Sequence, residues 1–161
     1  MTVTRVDKDL DHLTLTVVAD FAAPVERVWR LWADPRQLER WWGPPAYPAT
    51  VEEHDLTPGG EVTYFMTGPE GDRHRGWWRV TSVTEPTALE FTDGFADDDG
   101  KPKDDLPTTS VTMRLTQHEG GTRIQLRSLF DSREQMEQMT AMGMEEGLKE
   151  AIGQIDALLA A

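Results

Sequence analysis

An α+β fold, with one antiparallel sheet and its helices on one face, is what the sequence predicts, and three observations predict it. Between about Tyr47 and Phe130 apolar and polar residues alternate at period two, broken by turn-forming clusters of Gly and Pro. Ahead of that region Val25, Val28, Trp29 and Trp32 stand at i, i+3, i+4 and i+7, which makes one helical stripe. Behind it, a proline-free stretch runs from Ser132 to the C-terminus with its apolar residues on one broad face. The strand–helix–strand alternation of a parallel sheet is not supported.

Taken in chain order, Leu13, Leu15 and Val17 alternate with Thr14 and Thr16 and predict a half-buried strand. Residues 1–11, where Arg5, Asp7, Lys8 and Asp9 interrupt any apolar pattern, read as an extension outside a core of residues 12–160. Pro24 suits the first turn of a helix, and Asp34-Pro35 ends it. A second short helix, from Arg36 to about Trp41, leads into Gly43-Pro44-Pro45, so two short helices follow the first strand.

Val62/Tyr64/Met66, Leu89/Phe91, Val111/Met113/Leu115 and Ile124/Leu126 then mark inward strand faces. Pro58-Gly59-Gly60, Gly68-Pro69-Glu70-Gly71, Glu85-Pro86 and Glu119-Gly120-Gly121 supply the turns between them. A meander of about six to seven antiparallel strands results. Ser132 before Arg133, Glu134 and Gln135 resembles a capped start to one long helix of about 28 residues lying across the sheet. Gly143, Gly147 and Ala151 on its apolar face either widen the wedge beneath it or let the backbones approach; both readings stand at this point.

The chain has 161 residues with 16 basic and 29 acidic side chains, a formal net charge of −13. This length suits a single domain with its own core. The negative excess disfavours binding that relies on counterion release, so no nucleic-acid partner is expected; Arg123 and Arg127 flank Gln125 as the outer face of a strand. There is no cysteine, which excludes disulfides, thiolate nucleophiles and cysteine metal sites. No run approaches the ~18 apolar residues of a membrane-spanning helix, and the first residues do not form a signal peptide, which implies the cytoplasm.

Four segments carry a further likeness. Pro24-Val25-Glu26-Arg27-Val28-Trp29, Trp41-Trp42-Gly43-Pro44, Asp55-Leu56-Thr57-Pro58-Gly59-Gly60 and Glu90-Phe91-Thr92-Asp93, in that order, resemble the START-like (SRPBCC) superfamily. Within it they are most similar to the branch named after the C-terminal domain of the heat-shock-protein-90 ATPase activator. The resemblance implies a helix-grip fold, a curved antiparallel sheet around a long C-terminal helix with a cavity between them. It also implies a small hydrophobic ligand, and a tendency to pair as a homodimer that the net charge opposes. The chain departs from the pattern at Met144, where relatives often carry a tryptophan.

On that fold Trp32, Trp42, Tyr64, Met66, Trp78, Phe91, Met113 and Met139, with Gly143 and Gly147, are the expected cavity lining. Aromatic rings offer area and methionine adapts to irregular shapes, although the same residues would equally fill a core. Trp77 and Trp78 must face opposite ways, with Trp78 taken as the inner one.

No pair among His12, His54, His74 and His118 has helical zinc spacing, and no metal or cofactor is expected. The acidic run Asp97-Asp98-Asp99-Gly100 fails as a calcium loop because Phe95 and Leu106 fall at its first and last ligand positions. Asp97 to Asp105 reads instead as a solvated connection able to gate the cavity. No catalytic constellation stands out, although Glu61, His74 and Arg79 are available acid–base groups. The expected function is therefore small-molecule binding. A chaperone-associated module and a polyketide-cyclase-like enzyme are the alternatives.

Overall fold

The computed structural model describes residues 2–103 and 105–160. Eight strands form one sheet: β1 (Thr2–Asp9), β2 (Thr14–Phe21), β3 (Ala49–His54), β4 (Glu61–Thr67), β5 (Arg73–Thr84), β6 (Ala88–Ala96), β7 (Thr109–His118) and β8 (Gly121–Leu129). Their spatial order is β1-β2-β8-β7-β6-β5-β4-β3, and every neighbouring pair is antiparallel. Helices α1 (Val25–Ala33) and α2 (Pro35–Leu38) follow β2, and α3 (Arg133–Ala141), α4 (Met144–Gly153) and α5 (Ile155–Ala160) close the chain.

The α+β architecture is as expected, with two differences. The sheet has eight strands rather than six to seven, because Thr2–Asp9 pairs with β2 instead of lying outside the core. A register shift between Val3 and Arg5 breaks the parity of the strand, so that Val3 and Val6, three positions apart, both pack against the core. Alternation alone misses such a strand. The two short helices accordingly follow the second strand, and α2 ends at Leu38 rather than near Trp41.

The second difference is that the C-terminal helix is not continuous. It begins where the sequence predicts, with the Ser132 hydroxyl accepting from the Gln135 amide at 3.1 Å. It then breaks at Gly143, whose φ of 87° lies in the left-handed region and turns the chain between α3 and α4. A Cβ added at Gly143 would meet nothing within 4 Å, so Gly143→Ala isolates the backbone cost. We expect a loss of about 1–2 kcal/mol, measured by urea denaturation. An unchanged midpoint would mean that the break is not held by this dihedral.

The core lies between the helices and the inner sheet face, in two clusters. The larger joins Val28, Trp32 and Leu31 of α1 to Trp41, Trp42, Trp78, Phe91 and Ile152. The smaller gathers Leu15, Phe130, Met136 and Met139. Two side chains pin the segment after α2 to the rest: the Trp41 indole N–H donates to the Leu31 carbonyl at 2.9 Å, and the Gln154 amide donates to the Gly43 carbonyl at 2.7 Å.

Candidate functional site

A cavity of ≈ 260 Å³ is lined by residues from both clusters. Trp42 and Tyr64 reach it from the larger cluster and Met139 from the smaller. Of the residues expected to line a cavity, Trp42, Tyr64, Met66, Met139, Gly143 and Gly147 do so. Trp32, Trp78, Phe91 and Met113 do not; each is at most 1% exposed and sits in the core. They point into the same core but at a deeper level, where the rings of Trp32, Trp78 and Phe91 pack behind Trp42. Trp78 stacks on Phe91, with centroids 4.1 Å apart and planes at 19°, and meets Trp42 edge-on at 4.8 Å. Trp78 is the inner member of its pair, whereas Trp77 is half-buried and donates its indole N–H to the Phe95 carbonyl.

Gly147 leaves room rather than allowing close packing, since a Cβ there would touch nothing within 4 Å. Ala151 belongs instead to the packed core, at 1% exposure. Met142 and Met144, on either side of the helix break, also line the cavity, as do Phe95 and Leu148.

The one charged residue of the described lining was also not anticipated. Asp93 follows Leu89 and Phe91 on the same inward face of β6, so alternation already turns its carboxylate toward the core. The Tyr64 hydroxyl donates to Asp93 Oδ1 at 3.4 Å, a long contact. Tyr64 pairs across the strands with Gly76, and a Cβ at Gly76 would fall 2.5 Å from the Tyr64 hydroxyl. Glycine at that position is what lets the phenol lie across β5 toward β6.

Burial pushes the Asp93 carboxyl up to about 7, against the opposing hydrogen bonds from Tyr64 and the Gly94 backbone. Burial, followed by the neighbouring Asp93 charge, likewise raises the Tyr64 phenol well above its usual range. The indole N–H groups of Trp42 and Trp78 lie close enough to that phenol to oppose its rise, yet neither closes a hydrogen bond.

The other acid–base candidates lie elsewhere. His74 is exposed and pairs with Asp72 at 2.6 Å, while Glu61 and Arg79 face each other at 3.8 Å in solvent. His54 contacts the Trp32 carbonyl at 2.9 Å, a structural role. Among the described residues no group of His, Asp and Glu is arranged to hold a metal ion, and no helix is long and apolar enough to cross a membrane. The acidic connection is a local turn in which Asp97 Oδ1 accepts from the amides of Asp99 and Lys101. Asp104 within it lies outside the described residues.

The arrangement has solved counterparts. Protein Ms6760 from Mycobacterium smegmatis is 55% identical, with a TM-score of 0.91 over 98% of this chain and 96% of that one. A protein from Arthrobacter aurescens, solved by solution NMR, is also 55% identical, with a TM-score of 0.95 over 99% and 92%. DynU16, a protein in the dynemicin biosynthetic locus, shares the fold alone at 20% identity and a TM-score of 0.63, over 89% of this chain and 47% of that one. No curated protein matches the chain. The sequence pattern of the family described as Activator of Hsp90 ATPase homolog 1-like protein matches residues 22–160, and the chain belongs to that family, with its START-like fold.

Proposed function

We propose that this protein binds a small apolar or amphipathic molecule in the cavity between β4–β6 and the α3–α4 break. The observation that carries the reading is an opening of ≈ 260 Å³ whose lining, among the described residues, holds a single charged side chain. It stays unfilled although position 147 has room for a side chain. Its size is near the lower end for ligand pockets, and its mix of aromatic, methionine and few polar groups is typical of them.

Four methionines, Met66, Met139, Met142 and Met144, surround the cavity, whereas Met113 is fully buried outside it. Titration with 2-phenylethanol, followed by methionine-methyl NMR, is expected to move those four resonances and leave Met113 in place. Gly147→Leu is expected to abolish the shifts while holding or raising stability by up to about 1 kcal/mol, since leucine is the better helix former. Uniform shifts, or full binding by the leucine variant, would overturn the reading.

A chaperone-associated module would bind through its surface and be indifferent to Gly147→Leu. An enzymatic reading draws on Asp93, the lining residue able to exchange a proton near neutrality. It requires turnover that disappears with Asp93→Asn.

A further inference from the structure

The cavity contains an acid with no counter-charge. Among the described residues, Asp93 and the Tyr64 phenol are the only titratable groups in its lining, and no Lys, Arg or His joins them. Several charged side chains on the surrounding elements pair with one another. On α4, Glu145 pairs with Lys8 at 3.4 Å and Glu146 with Lys149 at 3.3 Å. Glu137 of α3 pairs with Arg133 at 3.5 Å, and Arg75 of β5 with Glu52 of β3. Lys103 and Asp105, in the connection between β6 and β7, are exposed.

A carboxylate half-buried against apolar groups is costly unless paired, and Asp93, of intermediate exposure, has for partners a long phenol contact and a backbone amide. Around it stand the aromatic rings of Trp42, Tyr64 and Phe95, a residue class that attracts cations, together with the polarisable sulfurs of Met66 and Met139. We infer that the ligand is a small organic amine with an apolar body, its ammonium paired with Asp93 and its body seated against Trp42, Phe95 and the methionines. This assignment rests on the cavity-binding reading and adds to it the charge of the ligand.

An ammonium requires Asp93 ionised. Because the empty cavity holds that carboxyl near 7, binding at lower pH must first expel its proton. Affinity for an amine therefore falls by roughly tenfold for each pH unit below that point. An alkylamine itself stays protonated throughout, as lysine does.

The test is calorimetric titration of the intact protein with 2-phenylethylamine and its neutral isostere 2-phenylethanol, at pH 8 and pH 5, in wild type and Asp93→Asn. At pH 8 the amine is expected to bind roughly tenfold or more tightly than the alcohol. At pH 5 its affinity drops by about a hundredfold while that of the alcohol holds. Asp93→Asn should lose the preference for the amine but still bind the alcohol, which shows that its cavity is intact. Equal or tighter binding of the alcohol by wild type at pH 8 overturns the amine assignment and leaves the cavity reading in place. A preference for the amine that survives Asp93→Asn removes the carboxylate from the account. Absence of binding by either compound at millimolar concentration overturns both readings.

Discussion

Alanine at Trp78 is expected to lower the stability of the fold by roughly 3–5 kcal/mol, measured by urea denaturation with far-UV circular dichroism. Trp78 is fully buried and is the ring on which the aromatic cluster converges. It stacks on Phe91 and touches Trp32 at 5.9 Å, Trp42 at 4.8 Å and Tyr64 at 6.4 Å between centroids. Its indole N–H has no hydrogen-bond partner, so the loss comes from packing and from the void left behind.

That void would open directly behind Trp42 and Tyr64, which line the cavity, and ligand binding should weaken along with stability. A typical domain is stable by only 5–15 kcal/mol, so the variant sits near the limit of folding. Trp77→Ala provides the contrast: half-buried on the opposite face, it should cost clearly less. Equal losses at the two positions would contradict the inside–outside assignment.

Asp93→Asn is expected to stabilise the ligand-free protein above neutral pH and to leave it nearly unchanged near pH 4. The unfolded carboxyl titrates near 3.8 and the folded one near 7. Between those values the unfolded chain has released the proton and the folded protein has kept it. Stability therefore falls as pH rises through this window, by roughly 4 kcal/mol in all, and is level above it. Asparagine carries no proton to lose and removes this slope. The measurement is the difference in unfolding free energy between variant and wild type from pH 4 to pH 8. The difference isolates Asp93 from carboxylates with the opposite sign, such as Asp20, whose ion pair with Arg123 holds it below its usual value. A difference that does not change with pH would mean that Asp93 is hydrated in the folded state.

The order of elements was legible in the sequence because each depends on local chemistry. Pro24 and Asp34-Pro35 bound α1, Ser132 starts α3, and the Gly/Pro turns between Pro58 and Gly121 divide the strands. β1 was not legible, because its register shift destroys the parity by which strands are recognised and its edge position tolerates charge. The break at Gly143 was missed for a different reason. A lone glycine on an apolar helix face carries the same pattern whether it continues the helix or ends it, and only its dihedral distinguishes the two.

Periodicity also reports which face a residue occupies but not its depth. That is why Trp32, Trp78, Phe91 and Met113 were grouped with Trp42, Tyr64, Met66 and Met139. Asp93 was overlooked although its position two residues after Phe91 gave its direction. Searching inward faces for acids, as well as for apolar residues, would have found it.

The placement of the last strand also bears on when the protein can assemble. β2 is bordered by β1 on one side and by β8 on the other, and its register with β8 runs from Thr14 opposite Leu129 to Phe21 opposite Thr122. During synthesis the N-terminal hairpin therefore waits, one edge unpaired, until more than a hundred further residues have emerged. Contacts of such long sequence separation place the domain among slow-folding topologies. A nascent chain stopped before Gly121 would present β2 as an open edge able to pair with another chain. Ribosome stalling in this gene would thus be a hazard for aggregation as well as for yield.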